Sequence, residues 1–310
     1  MSKRVLVWGF YDQGNLGDDL MALMMAELAK QAGAVPVICS SNRDFADAGY
    51  EICATPADSR ADLVLLGGGA FFKANTASKS SIEDKICLLA TFLHNTSTPV
   101  YGLSLGSDGI ESIEDASPAR QSVVDAPGFS GAAIRLQQDL ALGVRDLTFI
   151  PDIVLCTAHF CREVMGWKTP GPSTPKLGTL LNFSRRSLPS LLKTLWKKRG
   201  KRISMFQAHA RKSHSGGEIV FPGLRNFRAD DIPASLSAIA ASDGIVSSKL
   251  HPGIIALSFG VPFEPKGSRP KTIAFFAEFD RQDFQKNAAA RQREIWEQYR
   301  ARLVTVLNGG

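Results

Sequence analysis

Short runs of aliphatic residues alternate with amphipathic stretches along most of the chain, and that alternation predicts parallel sheets flanked by helices. Lys3 to Gly9 reads as the first strand. A loop rich in Gly and Asp follows, then a helix over Asp18 to Gly33 with Leu20, Leu23, Met24 and Leu28 on one face. Further strands are predicted over Val35 to Cys39, Ala61 to Leu66 and Pro99 to Leu105, with apolar runs at Ala132 to Leu136 and Leu147 to Leu155. Gly166 to Pro175 is dense in Gly, Pro, Ser and Thr and reads as a linker, with a junction near Gly171. Beyond it the same grammar restarts. Strands over Leu177 to Asn182, Arg202 to Gln207 and Gly244 to Ser247 alternate with helices over Leu188 to Arg199, Ile232 to Ala241 and His251 to Phe259. Asp283 to Leu307 reads as a closing helical segment. The expected division is an N-terminal domain over 1–170, a C-terminal domain over 171–280 and a closing segment over 281–310. In two open α/β lobes, ligands bind beyond the carboxyl ends of the strands, so those loops carry the candidate chemistry.

Length and composition agree with this division. The 310 residues and 33.5 kDa suit two domains. With 44% hydrophobic and 21% charged residues, the composition sets aside disorder, collagen and coiled coil. The five cysteines are odd in number and scattered, which points to a reducing compartment. Cys156, His159 and Cys161 have metal-like spacing but no evident fourth ligand, so buried cysteines and no metal site are expected. No apolar run is long enough to span a membrane, and a soluble, cytoplasmic protein is expected.

Charge changes the picture more than its net value of +6 suggests. Twelve Lys or Arg and one acid, Glu218, fall between Arg185 and Arg228, a local surplus that leaves the remainder acidic. Within it, Leu188, Leu191, Leu192, Leu195 and Trp196 recur at helical spacing, with Lys193, Lys197, Lys198 and Arg199 on the other faces. Either this helix docks its apolar stripe on its own domain, or it faces anionic lipid or a polyphosphate ligand. No helix-turn-helix, zinc-finger or RNA-binding signature accompanies the surplus, so nucleic acid is not the expected partner.

Several loops at strand ends stand out. Asn15, Gly17, Asp18 and Asp19 join the first strand to its helix; Asp18 suits an N-cap, and Asn15 with the two acids also suits sugar hydroxyls. Gly67-Gly68-Gly69 directly follows a strand and is a place for backbone N–H groups to meet an anion, or a plain turn. Arg135 ends one apolar run and Asp152 precedes another. The guanidinium suits a phosphate or carboxylate, or an ion pair with Asp139 or Asp152. Ser247-Ser248-Lys249-Leu250-His251 turns a strand into a small-residue helix ending at Gly260-Val261-Pro262, which sets Lys249 and His251 at a helix N-terminus.

Taken in this order, Asn15 to Asp19, Gly67 to Gly69, Arg135 with Pro151-Asp152, and Ser247 to His251 running on to Pro262 resemble the polysaccharide pyruvyl transferase family. The resemblance implies two Rossmann-like lobes in a GT-B-like architecture with a cleft between them. It further implies phosphoenolpyruvate as co-substrate and transfer of pyruvate as a ketal onto a sugar of an exopolysaccharide or other surface-glycan precursor. The acceptor would be lipid-linked or nucleotide-linked, with peripheral contact at the inner membrane face. The family pattern assigns Arg135 and the cation of the turn to the donor; that cation is Lys249 here, which keeps the charge and loses the planar fork.

Ketal formation requires a proton for the enol carbon, neutralisation of departing phosphate, and removal of protons from two hydroxyls. His251 is the candidate acid because imidazole titrates near neutrality. Asp18, Asp19 and Asp152 are candidate bases or hydroxyl holders. Arg135, Lys249, Ser248, Gly68 and Gly69 are candidates for the donor, and Asn15 and Asp19 for the acceptor. The chemistry calls for no metal and no further cofactor. A GT-B glycosyltransferase using a nucleotide sugar is the alternative enzyme, and a noncatalytic sugar- or phosphate-binding protein the alternative of another class.

Overall fold

The computed structural model describes residues 2–74, 81–170, 174, 176–209, 217–228, 231–267 and 270–309. The chain divides into two compact units, one formed by 1–12, 21–153 and 295–310, the other by 13–20 and 154–294.

The first unit is built on a parallel sheet. Its strands are β1 (Arg4–Trp8), β2 (Val35–Cys39), β3 (Glu51–Cys53), β4 (Leu63–Gly67), β6 (Val100–Leu105), β8 (Phe129–Ile134) and β9 (Leu147–Phe149), in the order β3-β2-β1-β4-β6-β8-β9. A short parallel pair, β5 (Phe72–Lys73) and β7 (Ser107–Asp108), accompanies it. The helices α1 (Leu16–Gln31), α2 (Arg43–Asp47), α3 (Ser81–Thr96) and α4 (Pro118–Val124) connect the strands. β4 and β6 are buried at every position, which is why the sequence reads there as continuous apolar runs and not as alternation.

The second unit repeats the topology. Strands β10 (Thr179–Asn182), β11 (Ile203–Gln207), β12 (Arg225–Arg228), β13 (Gly244–Ser247) and β14 (Phe263–Pro265) pair in parallel in the order β12-β11-β10-β13-β14. With them go α5 (Thr157–His159), α6 (Leu188–Lys197), α7 (Ile232–Ala240), α8 (Leu250–Ser258), α9 (Pro270–Glu278) and α10 (Arg281–Lys286), and the start of α11 (Ala288–Gly309). In both sheets the first strand lies inside and the order reverses beside it, the arrangement of nucleotide-binding α/β folds. Leu181, Phe183, Leu191, Met205 and Val246 form the core between β10, β11, β13 and α6.

Several details differ from the sequence reading. The expected junction near Gly171 lies outside the described residues, and the compact units change over between Ile153 and Val154. Residues 295–310 return to the first unit, where Trp296 Nε1 donates to Gln31, Tyr299 to the carbonyls of Ile150 and Pro151, and Arg302 to Tyr101. The closing helical segment is two helices, α10 and α11, separated at Asn287, whose backbone leaves helical geometry. The run Leu147 to Leu155 gives only a three-residue strand, followed by a 3₁₀ turn over Ile153–Cys156. Helix α1 begins at Leu16, so Asn15 and not Asp18 takes the capping position: its Oδ1 accepts from the Gly17 N–H at 3.3 Å.

Candidate active site

The order of the second sheet reverses at β10, with β11 and β12 to one side and β13 and β14 to the other. Ligands of such sheets sit at the carboxyl ends of the two strands flanking the reversal. Here those ends are Asn182 and Ser247, and they are tied together: Ser247 Oγ donates to Asn182 Oδ1 at 2.9 Å, and the backbone N–H of Lys249 donates to Ser247 Oγ at 2.9 Å. Ser248 is buried; its N–H donates to the Asn182 carbonyl at 3.0 Å and its hydroxyl accepts from the Ser184 N–H at 3.4 Å. The turn that presents Lys249 is thus fixed on both sides before the side chain is considered.

A buried carboxylate holds that side chain. Glu218 Oε1 accepts from Lys249 Nζ at 2.9 Å and from Asn182 Nδ2 at 2.8 Å, while Oε2 accepts the His209 backbone N–H at 3.0 Å. Lys249 Nζ also lies 2.7 Å from His209 Nδ1. Burial alone would raise the Glu218 pKa, but the hydrogen bond from His209 and the Lys249 charge outweigh it and hold the carboxyl at about 2. A charge that sequence inspection leaves as the one acid in a basic segment therefore anchors the cation of the turn.

The Asn15 loop joins the same cluster. Asn15 makes an antiparallel bridge with His209, and Leu16 N–H donates to the Ala208 carbonyl at 2.9 Å. Asn15 Nδ2 in turn donates to Asp18 Oδ2 at 2.5 Å, and Asp19 is buried in the next position of α1. His251, half-buried in the first turn of α8, packs directly on Gly17: a Cβ there would lie 1.9 Å from its Nδ1. Only a glycine lets the imidazole approach the helix backbone this closely. Asn15, Asp18, Asp19, Ser248, Lys249 and His251, separated by more than two hundred positions in sequence, thus belong to one unit.

The remaining candidates lie in the first unit. Arg135 Nη1 donates to Asp152 Oδ2 at 3.0 Å, and both side chains are almost fully buried. Of the two ion-pair partners considered for Arg135, Asp152 is the one bonded; Asp139 instead accepts from the Ser107 N–H and hydroxyl at 2.8 and 2.6 Å. Gly106 admits the guanidinium, since a Cβ there would stand 2.5 Å from Arg135 Nε. Within the triple glycine, Gly68 does not present its N–H as expected. The Gly68 N–H donates to the Leu103 carbonyl at 2.9 Å, and Gly69 accepts from Gly106 at 3.0 Å through its own carbonyl. Both have positive φ, and a Cβ at Gly68 would meet the Met21 sulfur at 2.3 Å, so packing and turn geometry account for Gly68.

Cys156 and Cys161 are buried, and Cys156 Sγ donates to the Gln292 carbonyl. Among the described residues no group of three or more His, Cys, Asp or Glu side chains is placed to hold a metal ion. Glu218, His209 and Asn182 are the participants that sequence reasoning missed. The signal for Glu218 was present, a lone acid among twelve cations, but nothing in the sequence said that it was buried.

The segment that carries Glu218, His209, Lys249 and His251 also carries a family signature. Residues 140–263 match the polysaccharide pyruvyl transferase family. The matched segment runs from before β9 into β14 and includes Asp152; Asn15 to Asp19 and Arg135 lie outside it. No curated protein matches the chain in sequence. Among solved structures, the UDP-GlcNAc 2-epimerase of Methanocaldococcus jannaschii, in complex with UDP-GlcNAc and UDP, is similar over 100% of both chains with 10% identity and a TM-score of 0.55. A putative UDP-N-acetylglucosamine 2-epimerase from Listeria monocytogenes is 12% identical with a TM-score of 0.53, over 97% of this chain and 91% of that one. The UDP-GlcNAc 2-epimerase of Neisseria meningitidis, bound to UDP-GlcNAc, has a TM-score of 0.52 and 12% identity over 98% and 94%. At these identities the likeness is one of fold: α/β, with two Rossmann-like units of the GT-B-like class.

Proposed function

We propose that this chain transfers pyruvate from phosphoenolpyruvate to two hydroxyls of one sugar, as a cyclic ketal, on a surface-polysaccharide precursor. The observation that carries the reading is the convergence of His251, Lys249 and the Asn15 to Asp19 segment in one unit, with His251 and Lys249 inside the family-matched segment.

The reaction divides among these groups. His251 delivers a proton to the methylene carbon of the donor, which becomes a methyl group and leaves cationic character on its neighbour. One sugar hydroxyl adds to that carbon, the bond to the phosphate oxygen breaks, and the second hydroxyl adds in its place. Of the two protons released by the sugar, one balances the proton placed on the methyl carbon and the other leaves with phosphate. Asp18, half-buried and bonded to Asn15, takes the hydroxyl protons and restores His251; Asp19 extends the same acidic face. Asp152, fully buried against Arg135, supports its own unit instead. Lys249 and the positive end of α8 attract the anionic donor and offset charge on the departing phosphate.

The test is His251→Ala against wild type, with mass spectrometry of lipid-linked oligosaccharides incubated with phosphoenolpyruvate. Wild type adds one pyruvate with loss of phosphate, and the variant loses at least a hundredfold in rate while keeping its melting temperature. Unaltered turnover in the variant removes His251 from the reaction. Calorimetric titration decides the substrate: saturable binding of UDP-sugar with none of phosphoenolpyruvate would replace the reading with a glycosyltransferase.

A further inference from the structure

Helix α6 buries one side of the basic amphipathic segment on its own unit and leaves an apolar ridge exposed on the other. Leu191 and Thr194 are buried and Leu195 is half-buried against the core of the second unit. Leu188, Leu192 and Trp196, four residues apart and so on one ridge, are 43%, 50% and 68% exposed. Lys193 and Lys197, also exposed, follow next around the helix. Exposed Arg185 and Arg186 precede it, and exposed Arg199 and Lys201 follow, with Arg199 stacked over the Trp196 ring at 5.0 Å. Between Ser184 and Ile203 there are eight Lys or Arg and no Asp or Glu.

A ridge of two leucines and a tryptophan beside cations with no acid among them in the sequence matches a surface that is both apolar and anionic. Nucleic acid would use the cations and leave the leucines in water; a soluble polyphosphate would do the same. We propose that α6 is a membrane-docking element, which lies on an anionic lipid surface with Trp196, Leu192 and Leu188 in the interfacial layer and the surrounding cations on lipid headgroups. Its placement gives the contact a use. Only the three-residue turn Arg185–Ser187 separates α6 from Ser184, whose N–H is bonded to Ser248 and which forms a bridge with Glu218, so the docking helix grows directly from the candidate site. A lipid-borne acceptor would then reach the site from the surface on which the protein rests. That use rests on the proposed function, while the docking itself does not.

The experiment is flotation of the full-length protein with vesicles of phosphatidylcholine alone or with 30 mol% phosphatidylglycerol (about the anionic fraction that gives a strongly negative surface). Wild type is expected to float with the anionic vesicles at low salt and to be released at high salt, and its Trp196 emission to shift to the blue. Leu192→Glu with Trp196→Glu should lower binding at least tenfold without altering ketal formation on a soluble acceptor fragment. Equal binding to neutral and anionic vesicles, or no loss in the double variant, overturns the proposal. So does tight binding of single-stranded RNA that the double variant retains, or a dimer in light scattering that buries Trp196. A protein that floats but forms no ketal would retain docking and refute the pyruvyl transfer reading, so the two failures are distinct.

Discussion

Replacing Glu218 by Gln removes the charge that fixes Lys249 while keeping the shape and most of the hydrogen bonds. In the folded protein the carboxyl titrates at about 2, against 4.5 when unperturbed. A carboxylate held down in this way stabilises the fold where the unfolded chain is already ionised, above about pH 5, and loses that contribution as pH falls toward 2. The gap corresponds to about 3 kcal/mol at neutral pH, with the loss accruing at ~1.4 kcal/mol per pH unit between the two values. At pH 3 about 2 kcal/mol of it is gone. The readout is urea unfolding of wild type and Glu218→Gln at pH 7, 5, 4 and 3, with hydrogen exchange of the β11 amides reporting the second unit. The wild-type advantage should be constant from pH 7 to 5 and shrink by about 2 kcal/mol by pH 3, since titrating groups shared by both proteins cancel in the difference. A difference that stays flat from pH 5 to 3 would show that Glu218 is not held ionised by Lys249 and His209, and the anchoring argument would fall with it.

Gly17→Ala should separate stability from activity. In the first turn of α1 alanine is the better helix former by roughly 0.5–1 kcal/mol, yet its Cβ would stand 1.9 Å from His251 Nδ1 and force the ring aside. The expected result is a melting temperature within a few degrees of wild type and ketal formation reduced at least tenfold; full activity would refute the packing role. Asp152→Ala, which leaves a buried guanidinium without its carboxylate, should cost about 3–5 kcal/mol in urea unfolding, and Arg135→Met with Asp152→Leu should cost less. A single variant as stable as wild type would mean that the pair is not what holds that corner of the first unit.

Most of the fold was legible because parallel strands buried on both faces write themselves as apolar runs: β1, β2, β4, β6, β10, β11 and β13 all fall where such runs lie. Edge strands do not. β12 reads Arg-Asn-Phe-Arg, and its exposed arginines give neither alternation nor a buried run, while β3 and β14 are three residues each. The site was legible in part. Lys249 and His251 announce themselves by following a strand and opening a helix, and Asn15 to Asp19 by their acids and glycines. His209 and Glu218 lie in a stretch whose chemistry looks like a solvated basic surface, and only the pairing of strand ends turns the carboxylate inward. Gly68 misled for a related reason. A run of glycines marks a special backbone path, but the path alone does not tell whether its N–H groups face a ligand or, as at Gly68, a neighbouring carbonyl.

The same cluster explains why a lysine can stand where the resemblance expects arginine. One nitrogen must meet Glu218 Oε1 at 2.9 Å and His209 Nδ1 at 2.7 Å, two atoms that are themselves 3.4 Å apart. An ammonium, with donors directed tetrahedrally from a single atom, satisfies both at once. A guanidinium spreads its donors across a plane and favours both oxygens of one carboxylate, but Glu218 Oε2 already accepts the His209 backbone N–H. The positive charge is therefore delivered as a point beside the first turn of α8, where it adds to the helix end and orients nothing by itself. In the proposed reaction, orientation of an anionic donor would then fall to groups with direction: the hydrogen bonds of the Ser247 to Lys249 turn, and the imidazole that Gly17 holds in place.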